Sequence, residues 1–154
     1  MGKKGHRASL TIKAALPDFK AVFGMELALD TMPYDALQQK AFAELASGSA
    51  YYDIMIVDTP WMPALTDKIQ PITDMILDPS VSDAARLDLG DFIPKVFFDT
   101  AVYKKGQSYL HWPGQQVMDA AAIKQSGFEI YGLPIQANVQ RSPIGLICSA
   151  MRRS

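Results

Sequence analysis

The chain has 154 residues, a formal net charge of −1 and apolar side chains at 49% of its positions. That balance fits one ordinary domain or one lobe of a larger protein, with enough apolar material for a core. It excludes a global electrostatic pull toward nucleic acid or an anionic membrane, and the basic ends, Lys3-Lys4-His6-Arg7 and Arg152-Arg153, read as solvated tails. The single cysteine, Cys148, excludes an internal disulfide and a cysteine-rich metal site. No apolar run approaches the ~20 residues of a membrane-spanning helix, so an integral membrane protein is not expected.

In chain order, Met1–Arg7 has the charge of a leader's basic start. Lys13 interrupts the apolar stretch Ala8–Leu16 that would have to follow, so a secretion signal is not expected. An amphipathic helix from Ser9 to Phe23 fits better, with Leu10, Ala14, Val22 and Phe23 turned inward, Pro17 bending it and Gly24 ending it. Met25–Leu29 reads as a strand. Asp30-Thr31-Met32-Pro33 then opens a second helix: Thr31 offers a cap, and Pro33 suits a first turn because its missing N–H loses no helical bond. Leu37, Ala41 and Leu45, flanked by Phe42 and Ala46, form an apolar stripe at helical spacing, and Gly48 stops the helix.

Ile54-Met55-Ile56-Val57 is apolar without interruption and too short for a helix. This predicts a strand buried on both faces, as in parallel sheets. Asp58, Thr59 and Trp61 follow at its carboxyl end, where open α/β sheets bind ligands. Further on, the pattern predicts a short helix at Met62–Thr66, an extended piece at Ile69–Ile72 and a polar, irregular stretch over Leu77–Leu89. A helix is expected at Asp91–Phe98, and a hairpin of Ala101–Tyr103 with Ser108–Trp112 around Lys104-Lys105-Gly106. Helix over Val117–Gln125 and extended chain over Phe128–Val139 complete the pass.

Few residues carry chemistry. Val57-Asp58-Thr59-Pro60 is superficially like the metal-binding strand end of P-loop nucleotidases, but the phosphate loop that reading needs is nowhere in the chain. His6 and His111 have no partner ligands nearby in sequence, so neither a metal nor a histidine-based catalytic site is expected. Asp53 and Asp58 bracket one strand about 17 Å long and cannot act as a close carboxylate pair. Trp61 reads either as a core aromatic under the following helix or as a flat platform for the C–H face of a sugar. Asp58 would accept hydrogen bonds from hydroxyls, and Gln136 and Asn138 both donate and accept them. Trp112 reads as a local packing residue or as a second platform.

Three blocks, PYDALQQKAFAELASGSAYYDIMIVDTPWMPAL, LGDFIPKVF and YGLPIQANV, occur in an order and spacing that resemble a known family. Together they are similar to the amino-terminal lobe of the bacterial extracellular solute-binding proteins of ABC importers, in particular the family 1, sugar-binding branch. The likeness runs from about Leu10 to Val139. It implies an α/β lobe of the type II periplasmic-binding-protein kind, a sugar or related small solute as ligand, and a membrane permease as partner. It implies no enzymatic activity and no cofactor. Periplasmic location is implied too, with the cytoplasm as the alternative because no leader is recognisable. By position, the resemblance assigns ligand contacts to Tyr34 and Asp35, to Asp58, Thr59 and Trp61, and to Gln136 and Asn138.

Such proteins carry a first strand ahead of the helix like that at Leu10, and a second lobe after the block like Gln136–Val139. The expectation is therefore a partial lobe over residues 9–139 and, over 140–154, a tail that is either divergent from the family's continuation or out of frame with it. Binding would be impaired, and sheet edges would be left open to self-association. The competing reading is a small α/β interaction protein, or a remnant, with no ligand.

Overall fold

The first helix is longer than its sequence pattern. In the computed structural model, α1 runs Lys4–Phe23 with Pro17 inside it. The structure describes residues 4–49, 51–83, 87–105, 117–139 and 143–150, with side chains from residue 10 to residue 135. The second arm of the expected hairpin, with His111 and Trp112, lies outside the described residues, as does the side chain of His6. The chain divides into two units, Met1–Ala41 and Phe42–Ser154. Among the described residues, no helix is long and apolar enough to cross a membrane.

In the first unit, α1 ends where expected: Gly24 takes φ +66° and its N–H bonds the Lys20 carbonyl at 2.9 Å. Phe19 and Phe23, one turn apart, bring their rings to 4.8 Å. The inward face expected for Val22 and Phe23 is not found, as they are 65% and 59% exposed. Met25–Leu29 is irregular rather than a strand. A strand needs a neighbour for its backbone groups, and no described strand pairs with this segment. Ion pairs Lys20–Glu26 and Lys40–Asp30 tie the irregular stretch to its flanking helices. The boundary between the units falls inside α2, Tyr34–Ser47. That helix starts at Pro33, whose carbonyl accepts from the Leu37 N–H at 2.8 Å, and it stops at Gly48, with φ +68°.

The second unit holds two small sheets. The strand β1, Ile54–Asp58, forms as expected but pairs antiparallel, with β5, Pro143–Ala150. On its other side β5 pairs antiparallel with β4, Leu133–Val139. The order is β1-β5-β4, so β1 and β4 run in the same direction with β5 reversed between them. This corrects the expectation of a parallel neighbour for β1. Burial on both faces also fails at the first residue, since Ile54 is 52% exposed. The segment 143–150, expected to be a divergent tail, is the middle strand of this sheet.

Trp61 opens the short helix α3, Met62–Leu65, through a 3-10 turn over Thr59–Trp61. Met62 and Leu65 are fully buried. The stretch Ile69–Ile72 is irregular, and it leads into α4, Thr73–Leu77, a helix too short for its periodicity to be visible in the sequence. Another 3-10 turn, Leu89–Asp91, precedes α5, Pro94–Ala101, with Pro94 in its first turn. The helix α6 is Ala120–Gln125, capped by Asp119 Oδ1 accepting from the Ala122 N–H at 2.7 Å. It starts later than expected because the cap, not the apolar run, sets its beginning.

The second sheet pairs β2, Val102–Tyr103, with β3, Glu129–Ile130. Val102–Tyr103 thus finds its described partner downstream of α6. Phe97, Phe98, Ala101, Val102, Ala120, Ile123, Phe128 and Ile130 form the core around this pair, with Ile72 and Ile76 packed against it. The Ile130 backbone holds α4 in place from both sides. Its carbonyl accepts from the Ile72 N–H at 2.7 Å, and its N–H donates to Thr73 Oγ1 at 2.8 Å.

Candidate functional site

The register of the larger sheet brings two separated candidates level. Asp58 pairs with Leu146, and Leu146 pairs with Gln136. Asp58, Leu146 and Gln136 therefore lie on one rung, with the two polar residues two strand spacings, about 9.5 Å, apart. The alignment depends on an irregularity. Between Pro134 and Gln136 the register slips by one residue, leaving Ile135 as the extra residue of a β-bulge. Asn138 lies further toward the carboxyl end of β4, opposite Ile144. β1 and β4 point their carboxyl ends the same way on either side of β5, and β1 ends level with the middle of β4.

Asp58 is 1% exposed. Its Oδ1 accepts from the Thr59 N–H at 2.9 Å and caps the 3-10 turn. An aspartate suits the place because its oxygen reaches the first orphan donor of a helical turn. Thr59 is half-buried. Trp61 is 4% exposed, and its ring meets Phe42 edge-on with centroids 6.4 Å apart. Its indole thus takes the core position that the sequence offered as the alternative to a platform. The Asp58 edge lies against β5, which also runs beside the Thr59–Trp61 turn.

Tyr34 and Asp35 belong to the first unit, at the start of α2. Tyr34 is 52% exposed and Asp35 is exposed. Asp35 is the acidic residue of the first helical turn, where the helix dipole favours it.

Sequence reasoning missed an open groove of about 590 Å³ lined by Ile76, Leu77, Pro79, Ser80, Val81, Ser82 and Asp83. None of the seven candidate residues lines it. Within it the Asp78–Ser80 turn is tight: Asp78 Oδ1 accepts from Ser80 Oγ at 2.7 Å and from the Ser80 N–H at 2.8 Å. The hydroxyl bond, followed by the amide bond, holds the Asp78 carboxyl below its usual range. Among the described residues, no group of three or more His, Cys, Asp or Glu side chains is arranged to hold a metal ion.

Compared with known families, residues 6–137 match the model described as bacterial extracellular solute-binding protein. No curated protein and no solved structure matches the chain.

Proposed function

The chain belongs to the bacterial extracellular solute-binding protein family, and from that premise we propose that it supplies one wall of a carbohydrate-binding cleft serving an ABC importer. The observation that carries this reading is the rung Asp58–Leu146–Gln136, which sets the carboxylate residue that ends β1 level with a carboxamide residue in the middle of β4. Open α/β sheets hold ligands at the carboxyl ends of strands, and these residue types pair with sugar hydroxyls. Thr59 and Asn138 extend the polar edge. Trp61 adds an apolar face when its ring is uncovered; Tyr34 and Asp35 are exposed candidates of the first unit, at the start of α2. The lobe is of the type II binding-protein kind and works outside the cytoplasm. Its loaded form docks on a permease, and it carries out no chemistry on its solute.

Binding is expected at a Kd of roughly millimolar or tighter, about 4 kcal/mol or more. Titration calorimetry against a panel of mono- and disaccharides tests this. Heats that vanish in Asp58→Ala support the reading, and no heat with any sugar contradicts the ligand class.

A second reading rests on the sheet margins. Among the described strands, β1 and β4 each have one strand neighbour, and such edges pair with other chains. Light scattering that shows a stable dimer with no sugar affinity would favour an interaction role over solute binding.

A further inference from the structure

The chain's net charge of −1 hides a steep asymmetry. Residues 1–23 hold Lys3, Lys4, Arg7, Lys13 and Lys20 against Asp18 alone, a net of +4, so the rest of the chain carries −5. Such segregation marks a basic element that meets an anionic surface. Most of this positive charge lies on α1, which belongs wholly to the first unit.

The same helix keeps an apolar face partly in solvent. At about 100° per residue, Val22, Ala15, Phe19, Ile12, Phe23 and Leu16 fall within an arc of about 120°. Val22 is 65% and Phe23 59% exposed, while Ile12, Leu16 and Phe19 are half-buried. Phe19 and Phe23 bring two rings together on that arc. Lys20 and Lys13, both exposed, follow about 40–60° beyond Leu16 and so line one edge of it. Asp18, the one acid of the helix, lies beyond the opposite edge. Lys20 pairs with Glu26, with both side chains in solvent, and exposed pairs of this kind are weak.

We propose that α1 lies on an anionic lipid bilayer, with Phe19, Val22 and Phe23 in the headgroup boundary and Lys13 and Lys20 at the lipid phosphates. Phenylalanines on one face with lysines at its edge are what an interfacial helix needs, and lysine stems reach from the apolar level to the charged one. A nucleic acid would engage the lysines and leave the phenylalanine face in water, whereas a bilayer takes both. The acidic remainder of the chain is repelled by the same surface, which confines contact to α1. This inference goes beyond the sugar-binding reading and does not rest on it.

Co-sedimentation of the full chain with vesicles tests it. Vesicles of phosphatidylcholine alone are compared with vesicles of equal parts phosphatidylcholine and phosphatidylglycerol, at low and at high salt. Partitioning into the anionic vesicles is expected to exceed that into the neutral ones about tenfold or more, and to fall at high salt. Equal partitioning into both, or none into either, overturns the inference. Lys13→Glu with Lys20→Glu is expected to lower anionic partitioning about tenfold or more, whereas Lys104→Glu with Lys105→Glu, the same change of charge elsewhere, leaves it little changed. Equal loss in the two shows that only net charge counts, and overturns it. Val22→Ser with Phe23→Ser removes the exposed end of the apolar face and is expected to cost a similar factor. Full binding by that variant shows a purely electrostatic contact and overturns the proposed seating. The lysine variant keeps the test open if the serine pair loosens the helix, because it leaves the apolar face as it is. Salt-sensitive self-association without vesicles, lost in the lysine variant, would assign α1 to an acidic protein surface and overturn the lipid proposal.

Discussion

Asp58 and Gln136 share a rung of the three-stranded sheet through Leu146, and a bulge at Ile135 puts Gln136 there. Were β4 regular and Ile135 retained, Ile135 would face Leu146 and Gln136 would fall one step off. Deletion of Ile135 should therefore leave the Gln136–Leu146 pairing intact while flattening the strand. Cross-strand Hα contacts by NMR check this. A shift of Gln136 to another partner would show that the pairs before the bulge, at Leu133 and Pro134, set the register.

Asp58 also holds the fold at that edge. Asp58→Ala removes the acceptor from the Thr59 N–H and is expected to cost about 1–2 kcal/mol in urea unfolding. Asp58→Asn keeps an oxygen in the same place and should cost less than half as much. Equal losses in both would mean that the charge, rather than the cap, matters.

Thr73 is fully buried and accepts from the Ile130 N–H. Thr73→Val keeps the shape and leaves that donor unsatisfied, at an expected cost of about 1–3 kcal/mol. Thr73→Ser retains the oxygen and should lose under about 1 kcal/mol. Chemical denaturation of the pair, with Thr73→Ser at least as destabilised as Thr73→Val, would contradict the assignment.

Phe97 is fully buried in the core around β2 and β3, with its ring 5.7 Å from that of Phe98. Phe97→Ala should cost about 3–5 kcal/mol through lost transfer energy and the cavity left behind. Loss of the cooperative thermal transition is the expected readout. A shift of only a few degrees would mean that this core is not what holds the unit together.

Tyr131 is buried, and burial, followed by the negative charges of Glu129 and Asp67, pushes its phenol above the usual value of about 10. The unfolded chain therefore releases this proton at lower pH than the folded one. Stability from this group is complete below about pH 10 and falls as pH rises from there to the folded pKa. Ultraviolet titration should show one tyrosine ionising late, and Tyr131→Phe should flatten the alkaline decline in stability.

Legibility in the sequence followed how much of an element's signal is local. The helix α2 was readable from Pro33 to Gly48 because its stripe, start and stop are written within one segment. The strand β1 was readable as a strand, since an unbroken apolar run bounded by aspartates has few other uses. Its partner was not, because pairing is decided by residues far along the chain. The same cause explains Met25–Leu29, apolar enough for a strand but without one beside it. The helix α4 escaped because five residues do not complete two turns. Asp58, Thr59 and Trp61 were legible as a strand-end cluster. The burial of Asp58 and Trp61 was not, because it depends on packing against distant segments, such as Phe42 beside the Trp61 ring. The rung joining Asp58 to Gln136 depends on the segment Pro143–Ala150 and on one bulge, neither of which has a local signature.

The sheet's two pairings differ in how far apart along the chain their partners lie. Three residues separate β4 from β5, whereas most of the second unit separates β1 from β5. Ring-closing entropy favours the shorter closure, so the β4–β5 hairpin forms as a unit and β1 joins it last. On a ribosome, β1 emerges long before the strand it pairs with is made. Until then its apolar residues Met55, Ile56 and Val57 present a bare strand to the cell, so this stretch is where holding by a chaperone, or early aggregation, is decided.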